Sequence, residues 1–396
     1  MSKNSIPAVR FCDFSDNWKS KKIGDLGSVS MNKRIFKDET SETGEVPFYK
    51  IGTFGSEPDS FITREKFEEY KSKYPYPEIG DILISASGSI GRTVEYQGEE
   101  AYFQDSNIVW LKHDERLNNS FLKQFYSIVK WEGIEGTTIK RLYNKNILET
   151  PISLPSPAEQ IAIGSLFRTL DDLIASYKDN LTNYQSLKTT MLSKMFPKAG
   201  QTVPEIRLDG FEGEWEVKKL KNVVQINPKS ALPEKFKYID LESVVGTRIN
   251  KIREEYKETA PSRAQRLAEK GDIFYQTVRP YQKNNYLFKL DDVDYVFSSG
   301  YAQLRPKRTS CHSDFLLTLL QDNKFLSKVL DRCTGTSYPA INAKDLVEIS
   351  IVIPKVEEQQ AIGSYFSNLD NLINSHQEKI SQLETLKKKL LQDMFI

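Results

Sequence analysis

Residues 155–196 read PSPAEQIAIGSLFRTLDDLIASYKDNLTNYQSLKTTMLSKMF, and residues 354–395 read PKVEEQQAIGSYFSNLDNLINSHQEKISQLETLKKKLLQDMF. The two stretches align without a gap and share 18 of 42 residues, so the chain carries an internal duplication. The period is about half the chain, too long for a solenoid, and fits two similar domains. Apolar residues recur at steps of three and four: Leu170, Ile174, Tyr177, Leu181, Tyr184, Leu187, Met191 and Met195, then Leu369, Ile373, His376, Ile380, Leu383, Leu386, Leu390 and Met394. This is a heptad-like helical stripe. At Ser156-Pro157-Ala158-Glu159 the serine can cap, the proline suits the first turn, and Glu159 can complete a capping box. Asp171 and Asp370 are expected to divide a short helix from a longer one; unbroken, each copy extends about 60 Å. The two stripes most simply bury against each other as an antiparallel pair. Phe167, Leu173, Leu192 and Phe196, repeated at Phe366, Leu372, Leu391 and Phe395, add a further apolar face. That face suits additional helices from a partner, or packing onto the chain's own domains.

The duplication reaches beyond the helices. Pro7-Ala-Val-Arg10, Phe14 and Trp18 are echoed by Pro204-Glu-Ile-Arg207, Phe211 and Trp215. Gly80-Asp81-Ile82-Leu83 matches Gly271-Asp272-Ile273-Phe274, and Gly136-Thr137 precedes Pro155 as Gly335-Thr336 precedes Pro354. Between these anchors the register drifts, so the segments preceding the helices vary in length while the helices do not. The expected domains are 1–154, a helical region 155–200, 201–353, and a second helical region 354–396. Each large segment reads as mixed α/β. Strands are expected at Val46–Ile51, Asp81–Ser85, Tyr238–Leu241 and Asp272–Gln276, and helices at Ser120–Lys130 and Ser313–Leu330.

Composition narrows the function. The net charge is +1, from 55 Lys and Arg against 54 Asp and Glu, which argues against a simple basic nucleic-acid binder. Three cysteines without CxxC spacing suit a reducing compartment, so a cytoplasmic location is expected. No apolar run approaches the roughly 20 residues of a membrane span, and no membrane partner is expected. There is no phosphate-binding Gly-x-x-x-x-Gly-Lys-Ser/Thr loop, and His113, His312 and His376 are scattered. His376 falls on the helix stripe and reads as packing. Pro204, Glu205, Glu214, Glu216 and Lys218 loosely imitate a metal-nuclease motif, but the first half carries Lys19 and Lys21 opposite Glu216 and Lys218. Neither a catalytic residue nor a metal ligand is expected.

What remains is loop chemistry. Arg and Lys can bond guanine O6 and N7, Asn and Gln can bond adenine N6 and N7, and Ser, Thr and backbone N–H groups can hold phosphates. On loop position and chemistry alone, the expected DNA-facing residues are Lys33, Arg34, Ser87, Arg92, Thr138 and Lys140 in the first domain. In the second they are Lys229, Arg248, Arg279, Gln282, Lys283 and Asn284.

Essentially the whole chain resembles the specificity subunit of type I restriction–modification systems. The resemblance is carried by Pro155-x-x-x-Glu159-Gln160 through Leu170-Asp171-x-Leu173-Ile174 to Met195-Phe196, and by its copy from Pro354, Glu358 and Gln359 to Met394-Phe395. Trp18, Trp215 and the Gly-Asp and Gly-Thr pairs also match, twice and in order. The resemblance implies an α+β fold: two target recognition domains separated by two long helices packed as an antiparallel coiled coil, with pseudo-twofold symmetry. It implies that each domain reads one half of a bipartite double-stranded DNA target. The helices then serve as spacer and as docking site for two methyltransferase subunits, and restriction subunits join the complex. Packing and docking fall to Phe167, Leu170, Ile174, Leu181, Phe196, Phe366, Leu369, Ile373, Ile380 and Phe395. The resemblance also implies a non-catalytic chain with no cofactor of its own; S-adenosylmethionine, ATP and Mg belong to partner subunits. The rival readings are a coiled-coil scaffold without a DNA role and a metal-dependent nuclease.

Overall fold

The apolar runs Ile82–Ser85 and Ile273–Gln276 form strands buried along their whole length, as strands covered on both faces must be. Each is a central strand of an equivalent four-stranded antiparallel sheet. The orders are Gly27–Ser30, Ile108–His113, Ile82–Ser85, Thr93–Glu95 and Val224–Ile226, Tyr301–Pro306, Ile273–Gln276, Tyr286–Leu287. A second sheet in each half contains one parallel pair, Val46–Tyr49 with Tyr102–Phe103 and Lys235–Ile239 with Tyr295–Ser298. A two-stranded ribbon joins the entry to the exit of each domain: Lys19–Lys22 pairs Pro151–Leu154, and Glu216–Lys219 pairs Ser350–Ile353. The computed structural model describes residues 6–136 and 140–396. These form two units, 6–177 with Lys379–Ile396 and Lys178–Glu378.

Three of the four expected strands are present with shorter bounds; the fourth, expected at Tyr238–Leu241, instead runs over Lys235–Ile239. The expected helix at Ser313–Leu330 is two helices, Ser313–Gln321 and Asn323–Leu330. They part at Asp322, whose carboxylate caps the second by accepting from Lys324 N at 3.2 Å. The repeated stripes form two uninterrupted helices, Pro157–Lys194 and Val356–Asp393. Asp171 and Asp370 therefore mark no break. Asp171 instead accepts from Lys387 Nζ at 2.5 Å, and Asp370 pairs with Lys188. Ser156 does cap, accepting from Glu159 N at 3.3 Å. Glu159 completes no capping box; its carboxylate takes Arg10 instead.

Each unit contains part of both long helices, and in each unit those parts run antiparallel. In the first, Phe167 meets Phe395 with ring centroids 6.3 Å apart while Asp171 meets Lys387. In the second, Phe196 meets Phe366 at 6.2 Å while Lys188 meets Asp370. Phe167 also belongs to the core of the first domain, with Trp18, Ile84, Phe121 and Ile152. Phe196 and Phe366 join Trp215, Tyr275, Phe315 and Ile351 in the core of the second. The second apolar face thus divides: its phenylalanines pack onto the chain's own domains, whereas Leu173 and Leu372 stay exposed.

Candidate nucleic-acid interface

In each domain the buried central strand runs into a loop that lies against a narrow hairpin. In the first, Ser87 bridges Arg141, which bridges back to Glu135. In the second, Val278 bridges Ala340, which bridges back to Thr334. The bonds correspond one to one. Gly88 N donates to Lys140 O at 3.0 Å and Arg279 N to Pro339 O at 2.8 Å; Leu142 N donates to Ala86 O at 2.8 Å and Ile341 N to Thr277 O at 3.0 Å. The last residue of the strand braces the loop in both. Ser85 Oγ accepts from Arg92 N at 2.9 Å and donates to Ser89 O at 2.5 Å. Gln276 Nε2 donates to Val278 O at 2.8 Å and Gln282 Oε1 at 2.7 Å, while its Oε1 accepts from Asn284 N at 3.3 Å.

The shared backbone path includes a left-handed residue. Gly88 supplies it at φ 64, at no steric cost. Its counterpart is Arg279 at φ 54, and Lys283 adds a second at φ 55. A non-glycine residue there costs about 1 kcal/mol, and such strain collects at functional sites. The Arg279 guanidinium lies 4.3 Å from the centre of the Tyr338 ring, a cation–π contact that holds it in place. Tyr281 and Tyr338 are themselves 50% and 63% exposed, so this loop pair presents aromatic and cationic groups together.

The expected DNA-facing residues fall into three groups. Ser87, Arg92 and Lys140 belong to the first loop pair, and Arg279, Gln282, Lys283 and Asn284 to the second. Of these, Ser87 is buried, while Arg92, Lys140 and Gln282 are exposed. Thr138 lies outside the described residues. A second group, overlapping the first at Lys283 and Asn284, is held by internal partners. Arg34 pairs Asp105 at 2.6 Å, and Arg248 pairs Glu378 of the second helix at 3.0 Å. Lys283 Nζ donates to Gln321 O at 2.7 Å and Asn323 Oδ1 at 2.6 Å. Burial, with Lys188 nearby, holds the Lys283 ammonium below the usual lysine range. Asn284 Oδ1 accepts from Gly246 N at 2.9 Å. Arg248, Gln282 and Lys283 share a cleft of about 570 Å³ with Gln185, Lys188 and Gln377 of the helices. A third group stands apart from the loop pairs: Lys33, whose ammonium sits 5.3 Å over the Tyr74 ring, and exposed Lys229. Lys33, Lys140, Lys229 and Arg279 form no ion pair among the described residues.

Sequence reasoning missed Arg141, Tyr281, Tyr338 and the braces Ser85 and Gln276. A signal was present in Gly136 and Gly335, which open the two hairpins at φ 105 and φ 87.

Of the expected helix-packing residues, Phe167, Leu170, Ile174, Phe196, Phe366, Leu369, Ile373 and Ile380 are buried. Leu181 and Phe395 are half-buried. Along the same helices Leu173 and Leu386 are 39% and 46% exposed in the first unit, and Leu187 and Leu372 are 39% and 43% exposed in the second. His376 packs edge-on against Tyr184 at 5.1 Å. The nuclease-like carboxylates are engaged elsewhere. Glu205 pairs Lys194 and Lys198, Glu216 pairs Lys218, and Glu214 accepts from Thr202. Among the described residues no group of three His, Cys, Asp or Glu could hold a metal ion, and no helix is long and apolar enough to cross a membrane.

A family model described as the type I restriction modification DNA specificity domain matches residues 15–184 and again 212–385. A putative type I restriction enzyme specificity subunit of Haemophilus influenzae is 54% identical over 160 residues, 40% of this chain and 42% of that relative. The MjaVIII specificity subunit of Methanocaldococcus jannaschii is 24% identical over 333 residues, 79% of this chain and 74% of that one. The solved structure of a type I restriction-modification system S subunit from M. genitalium has a TM-score of 0.66 at 16% identity, over 99% of each chain. At that identity the likeness is one of fold.

Proposed function

We propose, from the premise that this chain belongs to the type I restriction–modification DNA specificity family, that each unit reads one half of a bipartite double-stranded DNA target through its loop pair. The observation that carries this reading is the recurrence of one backbone device with different side chains. Each loop pair springs from the same strand, is braced by that strand's last residue, and presents cations without carboxylate partners. Backbone N–H groups and lysines suit phosphates, and an exposed arginine suits guanine in the major groove.

The helices are the spacer and the docking site. At 38 residues each is about 57 Å long, more than the roughly 34 Å between half-sites one helical turn apart. Leu173 with Leu386, and Leu187 with Leu372, give each unit an exposed apolar patch on its helices, suited to a helix of a methyltransferase subunit. Two such subunits bind, and restriction subunits complete the complex. The partners carry S-adenosylmethionine, ATP and Mg, together with the methylation and cleavage chemistry, and they work with the chain in the cytoplasm. They also supply the positive charge that a chain of net charge +1 lacks.

Adenine-methylation mapping by long-read sequencing tests this, in a methylation-free host expressing the chain with its neighbouring methyltransferase. A bipartite motif with a fixed gap, absent without this chain, is the expected result. A stable complex that yields no motif and no DNA protection would favour the scaffold reading.

A further inference from the structure

A second duplicated constellation lies where each long helix begins, and it has no part in the loop pairs. Gln160 is fully buried, and its side-chain amide makes three bonds: Oε1 accepts from Asn118 N at 2.8 Å, and Nε2 donates to Arg116 O at 3.0 Å and Pro155 O at 3.1 Å. Gln359, equally buried, repeats this with His312 N at 2.9 Å, Ser310 O at 3.2 Å and Pro354 O at 2.9 Å. Only an amide can accept one N–H and donate to two carbonyls at once; a carboxylate cannot donate.

Beside each glutamine stands a buried glutamate held by an arginine from the domain entry. Arg10 reaches Glu159 at 2.6 and 2.7 Å, and Arg207 reaches Glu358 at 2.8 and 2.6 Å. One turn on, the helix meets the domain with no room for a side chain. A Cβ on Gly164 would lie 2.6 Å from Ser120 Cβ, and one on Gly363 would lie 2.7 Å from Phe315 N. Asn118 and His312, which Gln160 and Gln359 grip, are the N-cap residues of the domain helices Asn119–Ile128 and Ser313–Gln321.

We infer that Gln160 and Gln359 are positioning residues that set the gap between half-sites, by locking the angle at which each recognition domain leaves its helix. This rests on the bipartite reading above. A domain free to pivot at its helix start can follow a half-site displaced by one base pair, about 3.4 Å. One held by three amide bonds, a buried ion pair and a backbone contact cannot. Base identity is read by the loop pairs and does not depend on the lock. A misplacement of about 1 Å can cost a hundredfold in rate, so even partial loosening is measurable.

The test uses the full complex of this chain with its methyltransferase subunits. Once mapping has given the motif, methyl transfer is measured on duplexes carrying the cognate gap and gaps one base pair longer and shorter. Gln359→Leu removes all three bonds; Gln359→Glu keeps the acceptor for His312 N but turns an oxygen that cannot donate toward the Ser310 and Pro354 carbonyls. The expected result is unchanged base preference at both half-sites. The ratio of cognate to shifted-gap methylation should fall about tenfold in both variants. If Gln359→Leu fails to assemble, the glutamate variant alone decides. A wild-type gap ratio in the assembled variants, or altered base preference at the second half-site, overturns the inference. A wild-type complex with no bipartite motif overturns the reading of function, and the inference with it.

Discussion

The long helices and the loop pairs were duplicated together but have kept different things. Between the helices 18 of 42 residues are identical, and so are the contacts: the Arg–Glu pair, the three glutamine bonds, the phenylalanine packing and the Asp–Lys crossing. Between the loop pairs the backbone is shared, with the glycine that opens each hairpin, but the presented side chains are not. Ser85 stands where Gln276 does, Gly88 where Arg279 does, and Arg141 where Ala340 does. A frame has to hold geometry, which depends on particular buried side chains. A reader needs only that some side chain be presented from a fixed path.

The largest expected effect is on the frame. Phe167 and Phe366 are 0% and 1% exposed and occupy equivalent places. Phe167→Ala and Phe366→Ala should each lower stability by about 3–5 kcal/mol, measured by denaturant unfolding. Equal losses support an equivalent frame; tolerance of one variant would break the comparison.

Next comes the reader. Arg279→Gly should leave fold stability within about 1 kcal/mol of wild type, because lost contact with Tyr338 offsets relieved strain. Losing one bidentate base contact is worth about 1–3 kcal/mol, so methylation at cognate sites should fall about tenfold or more, with relaxed sequence only in the second half-site. The reciprocal change sharpens the point. A Cβ on Gly88 meets nothing within 4 Å, so Gly88→Arg should fold, at a cost of about 1 kcal/mol. Its altered preference should be confined to the first half-site. Changes in both half-sites from either variant would sink the assignment of one loop pair to one half.

A smaller effect is expected where the helices cross. Lys387 and Asp171 are 24% and 33% exposed at their side chains, and Lys188 and Asp370 are 23% and 27% exposed. Lys387→Glu and Lys188→Glu should each cost no more than about 1 kcal/mol, and each should be rescued by Asp→Lys at its partner. A double-mutant cycle reads the coupling; coupling in one unit alone would mean the two crossings are not equivalent.

The frame was legible in the sequence because a helix writes its buried face into one short stretch. Phe167, Leu170 and Ile174 could be read from their spacing alone. Misreadings arose wherever the partner is distant in sequence. Asp171 read as a helix breaker because Lys387 is 216 residues away. Glu159 read as half of a capping box because Arg10 is 149 residues away. The same distance problem governs the loops. Arg248 and Lys283 carry the right chemistry for DNA, yet Glu378 and Gln321 already hold them. Ser87 is buried against the hairpin that its backbone bridges at Arg141. The chemistry of Arg279 is legible in the sequence, but its left-handed backbone and its tyrosine platform are tertiary facts.

The smallest expected effect lies where the two entry ribbons diverge. Glu348 accepts from Lys219 Nζ at 2.7 Å and Lys221 Nζ at 2.6 Å. In the first unit Glu149 holds the equivalent place, but Gly24 stands opposite Lys221, and the neighbour of Glu149 is Lys145 at 3.9 Å. The two lysines hold the Glu348 carboxyl well below its ordinary range, at about 2. A depressed carboxyl pKa means that the unfolded chain takes up the proton first. The stabilisation is therefore fully present above the ordinary value near 4.5 and is lost as the pH falls toward about 2. Thermal unfolding of wild type and Glu348→Gln should differ slightly at pH 6 and converge as the pH is lowered through that window, in the second unit alone. Because the site is exposed, the difference should also shrink with added salt. A gap that persists unchanged at pH 2.5, or an equal one in Glu149→Gln, would show that the two-lysine clamp is not its source.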